Sequence, residues 1–361
     1  MRSVVFLICA ACLAACGGGQ GGATAAAGGA ASQQTFKWKL VTTWPKNLPA
    51  LGTAPERLAR EVEVMSQGRL KIKVYGAGEL VPALEVFDAV SQGTAEMGHG
   101  AAYYWRGKAP AAAFFATVPF GMTAQEMNGW LHYGGGQALW ERLYAPFNLV
   151  PMASGNTGVQ MAGWFNKEIN SLADVQGLKM RIPGIGGEVL KRAGGEPVAL
   201  PGGEIFTALQ TGVIDATEWV GPYNDLALGL HTVARYYYYP GWHEPGPTLE
   251  AIVNKEAWEA LPADLQAMVR IASQAINDDM LSEFTARNNA ALRTLVDEHG
   301  VELRKLPDDV LAELRTASEA VLKESAGDDP LAQEIYESYM SFFENVRSYH
   351  AISEQAYINA R

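Results

Sequence analysis

Three side chains in this sequence can hold a small anion and a cation together: Arg181, Glu218 and Glu244. Arg181 stands in the apolar run Gly177-Leu178-Lys179-Met180-Arg181-Ile182-Pro183. A strand there carries the guanidinium to its tip, where two parallel hydrogen bonds can grip a carboxylate. Glu218 lies in Ile214-Asp215-Ala216-Thr217-Glu218-Trp219-Val220, and Glu244 ends Tyr236-Tyr237-Tyr238-Tyr239-Pro240-Gly241-Trp242-His243-Glu244. Both follow apolar or aromatic stretches, which suggests partial burial. Two carboxylates facing one site repel unless a cation joins them, and oxygen ligands of this kind suit Na⁺, Ca²⁺ or Mg²⁺. Singly, the arginine can equally close a surface salt bridge, and each glutamate reads as a solvated loop charge.

Gln160, in Gly155-Asn156-Thr157-Gly158-Val159-Gln160, adds an amide oxygen for a cation and an NH₂ for a ligand oxygen. Asn156 can bind a carboxylate or shape the turn, and composition favours the turn. Tyr103, Tyr104 and Trp105 follow Gly100-Ala101-Ala102 and offer rings that wall a pocket or pack a core. Trp219 supplies a further ring beside Glu218. The set describes capture of a small anion on rigid supports, not catalysis.

Enzyme signatures are missing: there is no G-x-S-x-G, no H-E-x-x-H, no P-loop and no complete G-x-G-x-x-G. Gly184-Ile185-Gly186-Gly187 comes nearest to a phosphate cradle, but Val189 replaces the last glycine. Six histidines without clustered spacing argue against a transition-metal site. The net charge of -11 and the lack of a basic stripe argue against nucleic acid, although a pocket can be locally positive in an acidic protein.

The elements that must position these residues begin behind a leader. Met1-Arg2, the apolar run Val4 to Ala11 and Leu13-Ala14-Ala15-Cys16 read as a signal peptide over residues 1–15. The ending resembles a bacterial lipoprotein box, with Cys16 as the lipidated first residue and therefore a membrane partner. All three cysteines lie here, so the body has neither disulfide nor thiolate metal site. The Gly, Ala, Gln and Ser segment that completes 16–34 is expected to be a tether with a reach of roughly 20–25 Å.

A body of more than 300 residues in a chain that is 48% hydrophobic can bury a large core, and two lobes are expected. Strands are predicted at Phe36 to Thr43, Leu70 to Tyr75 and near Met97, with helices at Ala54 to Met65 and Val81 to Ser91. The pattern restarts with short strands at Leu149 to Ala153, Met161 to Phe165, Leu178 to Ile182, Val198 to Leu200 and Ile214 to Thr217, and with helices near Gly187 to Ala193 and Glu204 to Gln210. Pro262 to Leu295 reads as one long helix, Val301 to Leu306 as a strand and Asp308 to Lys323 as a helix. The fold class is α/β, with lobe I over 35–155 and about 244–275, and lobe II over 156–243 and about 290–328. Residues 329–361 form a last helix whose seam, Ile335, Tyr339, Phe342, Val346 and Tyr349, packs on its own body or on a second copy.

Asn156-Thr157-Gly158-Val159-Gln160-Met161, Gly177 to Arg181, Ile214 to Tyr223 and Ala77-Gly78-Glu79-Leu80-Val81-Pro82 together resemble the solute-binding subunits of tripartite ATP-independent periplasmic (TRAP) transporters. Tyr237-Tyr238-Tyr239-Pro240-Gly241-Trp242 resembles their α-keto acid branch. The resemblance covers nearly all of Phe36 to Arg361. It implies a two-lobe periplasmic binding protein fold with a long helix spanning both lobes, closing on a monocarboxylate and delivering it to TRAP permease subunits. It also implies that the carboxylate and keto oxygens of a 2-oxo acid such as pyruvate or 2-oxobutyrate, or of a 2-hydroxy acid such as lactate, meet Arg181 and a Na⁺ or Ca²⁺ ion. Gln160, Glu218, the Trp219 carbonyl and Glu244 would hold that ion. A homodimer through the C-terminal helix is implied too. The chain departs from the pattern at Tyr103-Tyr104-Trp105-Arg106, where relatives carry three tyrosines and a tryptophan, and at His243, where they carry tryptophan. Two other roles fit the same residues: a periplasmic sensor for a receptor kinase, and a metal-assisted hydrolase or lyase.

Overall fold

Alternation in Phe36-Lys37-Trp38-Lys39-Leu40 and in Leu70-Lys71-Ile72-Lys73-Val74 turns one face of each run inward, and both are strands in the computed structural model, which describes residues 34–361. The expected signal peptide, Cys16 and all but the last residue of the tether lie outside the described residues. In chain order the first half comprises β1 (Phe36–Thr42), α1 (Ala54–Met65), β2 (Leu70–Tyr75), α2 (Val86–Ser91), β3 (Met97–Gly100), α3 (Ala113–Ala116), α4 (Ala124–Tyr133), α5 (Gly136–Tyr144) and β4 (Leu149–Asn156). The middle carries β5 (Gly163–Phe165), β6 (Lys179–Arg181), α6 (Gly184–Arg192), β7 (Glu196–Val198), α7 (Ile205–Gln210), β8 (Ala216–Thr217), α8 (Pro222–Ala227) and β9 (Tyr236–Tyr239). Then follow β10 (Thr248–Asn254), α9 (Lys255–Glu259), α10 (Ala263–Arg293), β11 (Glu302–Lys305), α11 (Asp308–Ser325), α12 (Pro330–Ile352) and α13 (Glu354–Ala360).

These strands form two sheets, one per lobe. The first has the order β2-β1-β3-β10-β4 and the second β11-β9-β5-β8-β6-β7. In the first, β1, β2 and β3 run parallel while β10 is antiparallel to both neighbours. In the second, β6 pairs parallel with β7 and β8, so the Arg181 tip lies opposite Val198 and Thr217. The chain crosses between sheets after β4, after β9 and along α10. At 31 residues, α10 is ~46 Å long, enough to lie along both lobes. It packs on α1 and β4 from one lobe and α8 from the other. Its Glu283 accepts from Arg57 of α1 (3.0 Å) and from the Tyr223 hydroxyl of α8 (3.1 Å), joining lobes and helix at one carboxylate.

The crossovers after β4 and β9 lie side by side because Gly241 has no side chain. A Cβ there would stand 2.1 Å from the Gln160 carbonyl oxygen and 2.4 Å from its carbonyl carbon, backbone atoms that cannot swing aside. Gly241→Ala is expected to cost about 1–3 kcal/mol by overpacking. Thermal denaturation checks this, and an unchanged midpoint would contradict the close approach.

Helices α3, α8 and α9 and strand β9 were not expected from sequence, and neither were two further helices and another strand. The first, α4, starts at a capping box in which Thr123 and Glu126 satisfy each other's backbone groups. The second is α5, which follows it. The strand is β10, whose apolar run is interrupted by Glu250. That carboxylate is fully buried and accepts from the Trp105 indole N–H and from the Tyr144 hydroxyl (2.9 Å). Burial pushes the Glu250 carboxyl up to about 7, against the pull of those two donors.

The folded state therefore keeps a proton that the unfolded chain releases above its ordinary value near 4.5. Stability from this group falls as pH rises from about 4.5 to 7 and is then flat, with a limiting slope of about 1.4 kcal/mol per pH unit. Glu250→Gln should flatten that stretch of a stability profile. A slope identical to the parent's would show that Glu250 is ionised throughout.

The first half of the C-terminal seam packs in cis. Ile335 and Tyr339 are fully buried; the Tyr339 hydroxyl accepts from the Met122 N–H (2.9 Å) and its ring meets Phe114 and Trp130 edge-on. Arg142 makes two bonds to Glu334 (2.6 and 2.7 Å), and His350 meets Glu126 at 2.7 Å. Beyond this the apolar side chains Tyr349, Ile352, Tyr357 and Ile358 are exposed. Among the described residues no helix is long and apolar enough to cross a membrane.

Candidate functional site

The fold brings Arg181, Glu218, Trp219, Gln160 and Glu244 into one buried cluster between the sheets. Arg181 ends β6 and is 1% exposed; Glu218, just past β8, is also 1% exposed. The Glu218 N–H donates to the Arg181 carbonyl (3.1 Å), which sets the two strand tips side by side. The Arg181 guanidinium donates from Nη1 to the Glu218 carboxylate, and from Nε to the Leu200 carbonyl (3.1 Å). Its Nη2 reaches the Tyr104 hydroxyl across the cleft (3.4 Å), and its plane faces the Trp219 ring at 5.3 Å. Burial alone would lower the guanidinium pKa, but the Glu218 carboxylate holds it above the ordinary arginine value.

Asp225 fixes the loop that follows. It accepts from Trp164 Nε1 (2.9 Å), the Tyr237 hydroxyl (2.7 Å) and the N–H groups of Val220 and Gly221 (3.3 and 3.1 Å). Trp219 is thereby pinned; its Nε1 donates to Asn224 (3.2 Å), and its ring meets Trp44 edge-on at 6.2 Å. Trp44 is locked in turn by donating to His99 Nδ1 (2.8 Å), while the other ring nitrogen of His99 meets the Ser154 carbonyl at 2.9 Å. Burial drops the His99 pKa to about 4, so this imidazole is a neutral strut at pH 7.

Gln160 and Glu244 ride on the two crossovers, tied by the Gln160 N–H donating to the Glu244 carbonyl (3.1 Å). Gln160 donates from Nε2 to Thr157 Oγ1 (3.1 Å), which leaves its buried Oε1 with no partner. Glu244 Oε2 and both ring nitrogens of His243 are likewise buried and unpartnered. Burial and the facing Glu218 carboxylate push the Glu244 carboxyl well above its usual range. Unpaired oxygens next to two carboxylates fit a cation with oxygen ligands, since leaving them without a partner is costly.

Tyr103 and Tyr104 close the site from the other lobe. Their rings meet edge-on at 4.9 Å, and burial raises both phenols, so each hydroxyl keeps its proton and can donate. Trp44, Leu51, Tyr103, Tyr104, Thr157, Gln160, Arg181, Trp219, Val220 and Leu249 line a cavity with an empty volume of ≈ 250 Å³. Asn156 does not line it. Its amide NH₂ donates to the Gly246 carbonyl (3.1 Å), and its Oδ1 accepts from the Gly158 N–H (2.8 Å), so both ends are committed to the turn that aims Gln160.

Sequence reasoning did not single out Trp44, Thr157, Leu51 or Leu249, which wall the cavity. Trp44 sits at the end of an apolar strand, and that position was its only signal.

Residues 40–328 match the family model for bacterial extracellular solute-binding protein, family 7. The chain belongs to that family. It is 45% identical over 323 residues to the monocarboxylate 2-oxoacid-binding periplasmic protein of Nostoc sp., covering 90% of this chain and 88% of the relative. A TRAP periplasmic solute-binding protein from Pseudoalteromonas atlantica, solved with bound sodium and pyruvate, superposes with a TM-score of 0.88 at 43% identity. That match covers 91% of this chain and all of the other. A TRAP solute-binding protein from Bordetella bronchiseptica has a TM-score of 0.89 at 39% identity, covering 91% of this chain and 97% of that one. It is a mixed-occupancy dimer with co-purified calcium and picolinate in one site. The two-lobe fold expected from sequence is the family's, and this is a family of solute-binding proteins, so the hydrolase and lyase alternative falls.

Proposed function

We propose that this chain captures a small 2-oxo monocarboxylate, with pyruvate the first candidate, together with a bound Na⁺ or Ca²⁺, and hands it to TRAP permease subunits. The observation that carries the reading is that Arg181 and the unpartnered Gln160 Oε1 line one cavity, while the unpartnered Glu244 Oε2 lies behind it, on the residue whose carbonyl accepts from the Gln160 N–H and whose carboxylate clusters with that of Glu218. Pyruvate and picolinate, the ligands of the two solved relatives, both place a second donor atom next to a carboxylate, and such a pair can chelate one cation while the far oxygen takes the arginine. Gln160, Glu218, the Trp219 carbonyl and Glu244 would hold that ion. Arg181, Gln160, Tyr104 and Tyr103 would bind the acid, with Trp219 as a wall and Asn156 acting through the turn. Mass spectrometry of small molecules released from protein purified without added substrate tests the reading. Recovery of a 2-oxo or 2-hydroxy acid supports it; a dicarboxylate or a sugar acid would overturn it.

Ligand contacts drawn from both lobes exist only when the cleft is shut, and the ligand can bias closure only by its differential affinity for that state. The closed form is held by Asn224 donating to the Pro49 carbonyl (2.7 Å) and by Arg106 meeting Glu188 (2.9 Å). Small-angle scattering should show a smaller radius of gyration with cation and pyruvate than without. Identical profiles would mean a rigid cleft.

Two further parts of the reading concern assembly. Cys16 is proposed as a lipid anchor holding a periplasmic body near a membrane through the tether. The exposed Tyr349, Ile352, Tyr357 and Ile358 are proposed to meet a second copy, in keeping with the dimeric Bordetella relative. Intact mass of the mature protein tests the first, and sedimentation velocity the second.

A further inference from the structure

We propose that His243 is itself a cation ligand, and that the site consequently accepts divalent transition ions of the Mn²⁺, Co²⁺ or Zn²⁺ class as well as Ca²⁺. This deepens the cation-assisted reading above and rests on it. Histidine spacing along the chain gave no hint of such a site, because the partners of His243 are carboxylates, one of them brought from β8 by the fold.

Three observations converge. His243 is 1% exposed, and neither ring nitrogen has a hydrogen-bond partner, an arrangement a buried imidazole rarely tolerates. Its Nε2 lies 3.5 Å from Glu218 Oε2, too long for a good hydrogen bond. One ligand atom each from Glu218, His243 and Glu244 can be chosen so that all lie within 4.8 Å of one another. Ligands bound at about 2.1–2.5 Å stand about 3.0–3.5 Å apart when adjacent and up to about 5 Å when opposite, so these separations suit one coordination sphere. Gln160 Oε1 is free to join them.

An imidazole nitrogen changes which ion gains. Ca²⁺ and Na⁺ are hard and take oxygen, whereas nitrogen together with carboxylate and carbonyl oxygens suits Mn²⁺, Co²⁺ and Zn²⁺. Adding His243 to an all-oxygen set therefore broadens selectivity toward the transition series and leaves the calcium ligands in place.

The test titrates Co²⁺ and, separately, Ca²⁺ into chelator-treated full-length protein by calorimetry, following the visible absorption of Co²⁺. The parent, His243→Gln and His243→Phe are compared. The expected result is that both variants bind Co²⁺ at least about tenfold more weakly than the parent and lose less affinity for Ca²⁺ than for Co²⁺. Pulsed electron paramagnetic resonance on Mn²⁺ should show ¹⁴N coupling in the parent only. Equal Co²⁺ affinity in parent and variants, or a parent that binds Ca²⁺ but no Co²⁺, overturns the assignment of His243 and leaves the oxygen-ligand site standing. Absence of binding by either ion to the parent sinks the underlying cation reading together with this one.

Discussion

Arg181→Ala is expected to weaken pyruvate binding by at least about tenfold, about 1.4 kcal/mol, and to lower the melting temperature as well. The two losses have different origins. Binding suffers because the guanidinium is the only cationic side chain among the residues lining the cavity. Stability suffers because Arg181 and Glu218 form an ion pair whose side chains are 2% and 1% exposed, and removing one member strands the other charge at a cost of about 3–5 kcal/mol. The double variant Arg181→Met with Glu218→Gln removes both charges, so it should recover much of the stability and none of the binding. Calorimetry alongside thermal denaturation separates the two. Near-normal affinity in Arg181→Ala would remove this residue from the ligand site.

The second large effect concerns the ion. With a monoanionic ligand bound, Arg181 faces three negative charges: the ligand, Glu218 and Glu244. Na⁺ leaves one of them uncompensated, and Ca²⁺ leaves none. An uncompensated buried charge is expensive, and burial already raises Glu244 well above its usual range when only Arg181 opposes the two glutamates. Ca²⁺ is therefore expected to stabilise the protein against heat at least as well as Na⁺ at equal concentration, with the larger shift when pyruvate is also present. Glu244→Gln keeps the shape and removes one charge, which should move the preference toward Na⁺. A preference unchanged by that variant would mean that charge balance does not choose the ion.

Much of this arrangement could be read from sequence because short-range patterns governed it. The alternation in β1 and β2, the unbroken helical run of α10 and the position of Arg181 before Pro183 are all local signals. What could not be read depended on partners distant in the chain. Glu250 breaks an apolar run and hid β10, and only the fold reveals Trp105 and Tyr144 waiting for its carboxylate. Asn156 could serve a ligand or, as composition favoured, a turn, and only the fold shows Gly246 and Gly158 taking both ends of its amide. Trp44 owes its place to His99, 55 residues on, and His243 shows its relation to Glu218 only once β8 and the crossover after β9 come together. The aromatic run Tyr236 to Tyr239 signalled a ligand-binding branch, yet in the fold it is the strand β9, with Tyr237 stacked on Trp164 at 4.1 Å and bonded to Asp225. Its part in the site is to hold the Val220–Gly221 loop.

In the proposed site a guanidinium and a carboxylate-held cation share one small acid. Calorimetric titration of pyruvate into chelator-treated protein, before and after Ca²⁺ is restored, tests it most directly. Affinity is expected to fall by about a hundredfold or more without the ion and to return with it. The same affinity in both titrations would contradict it.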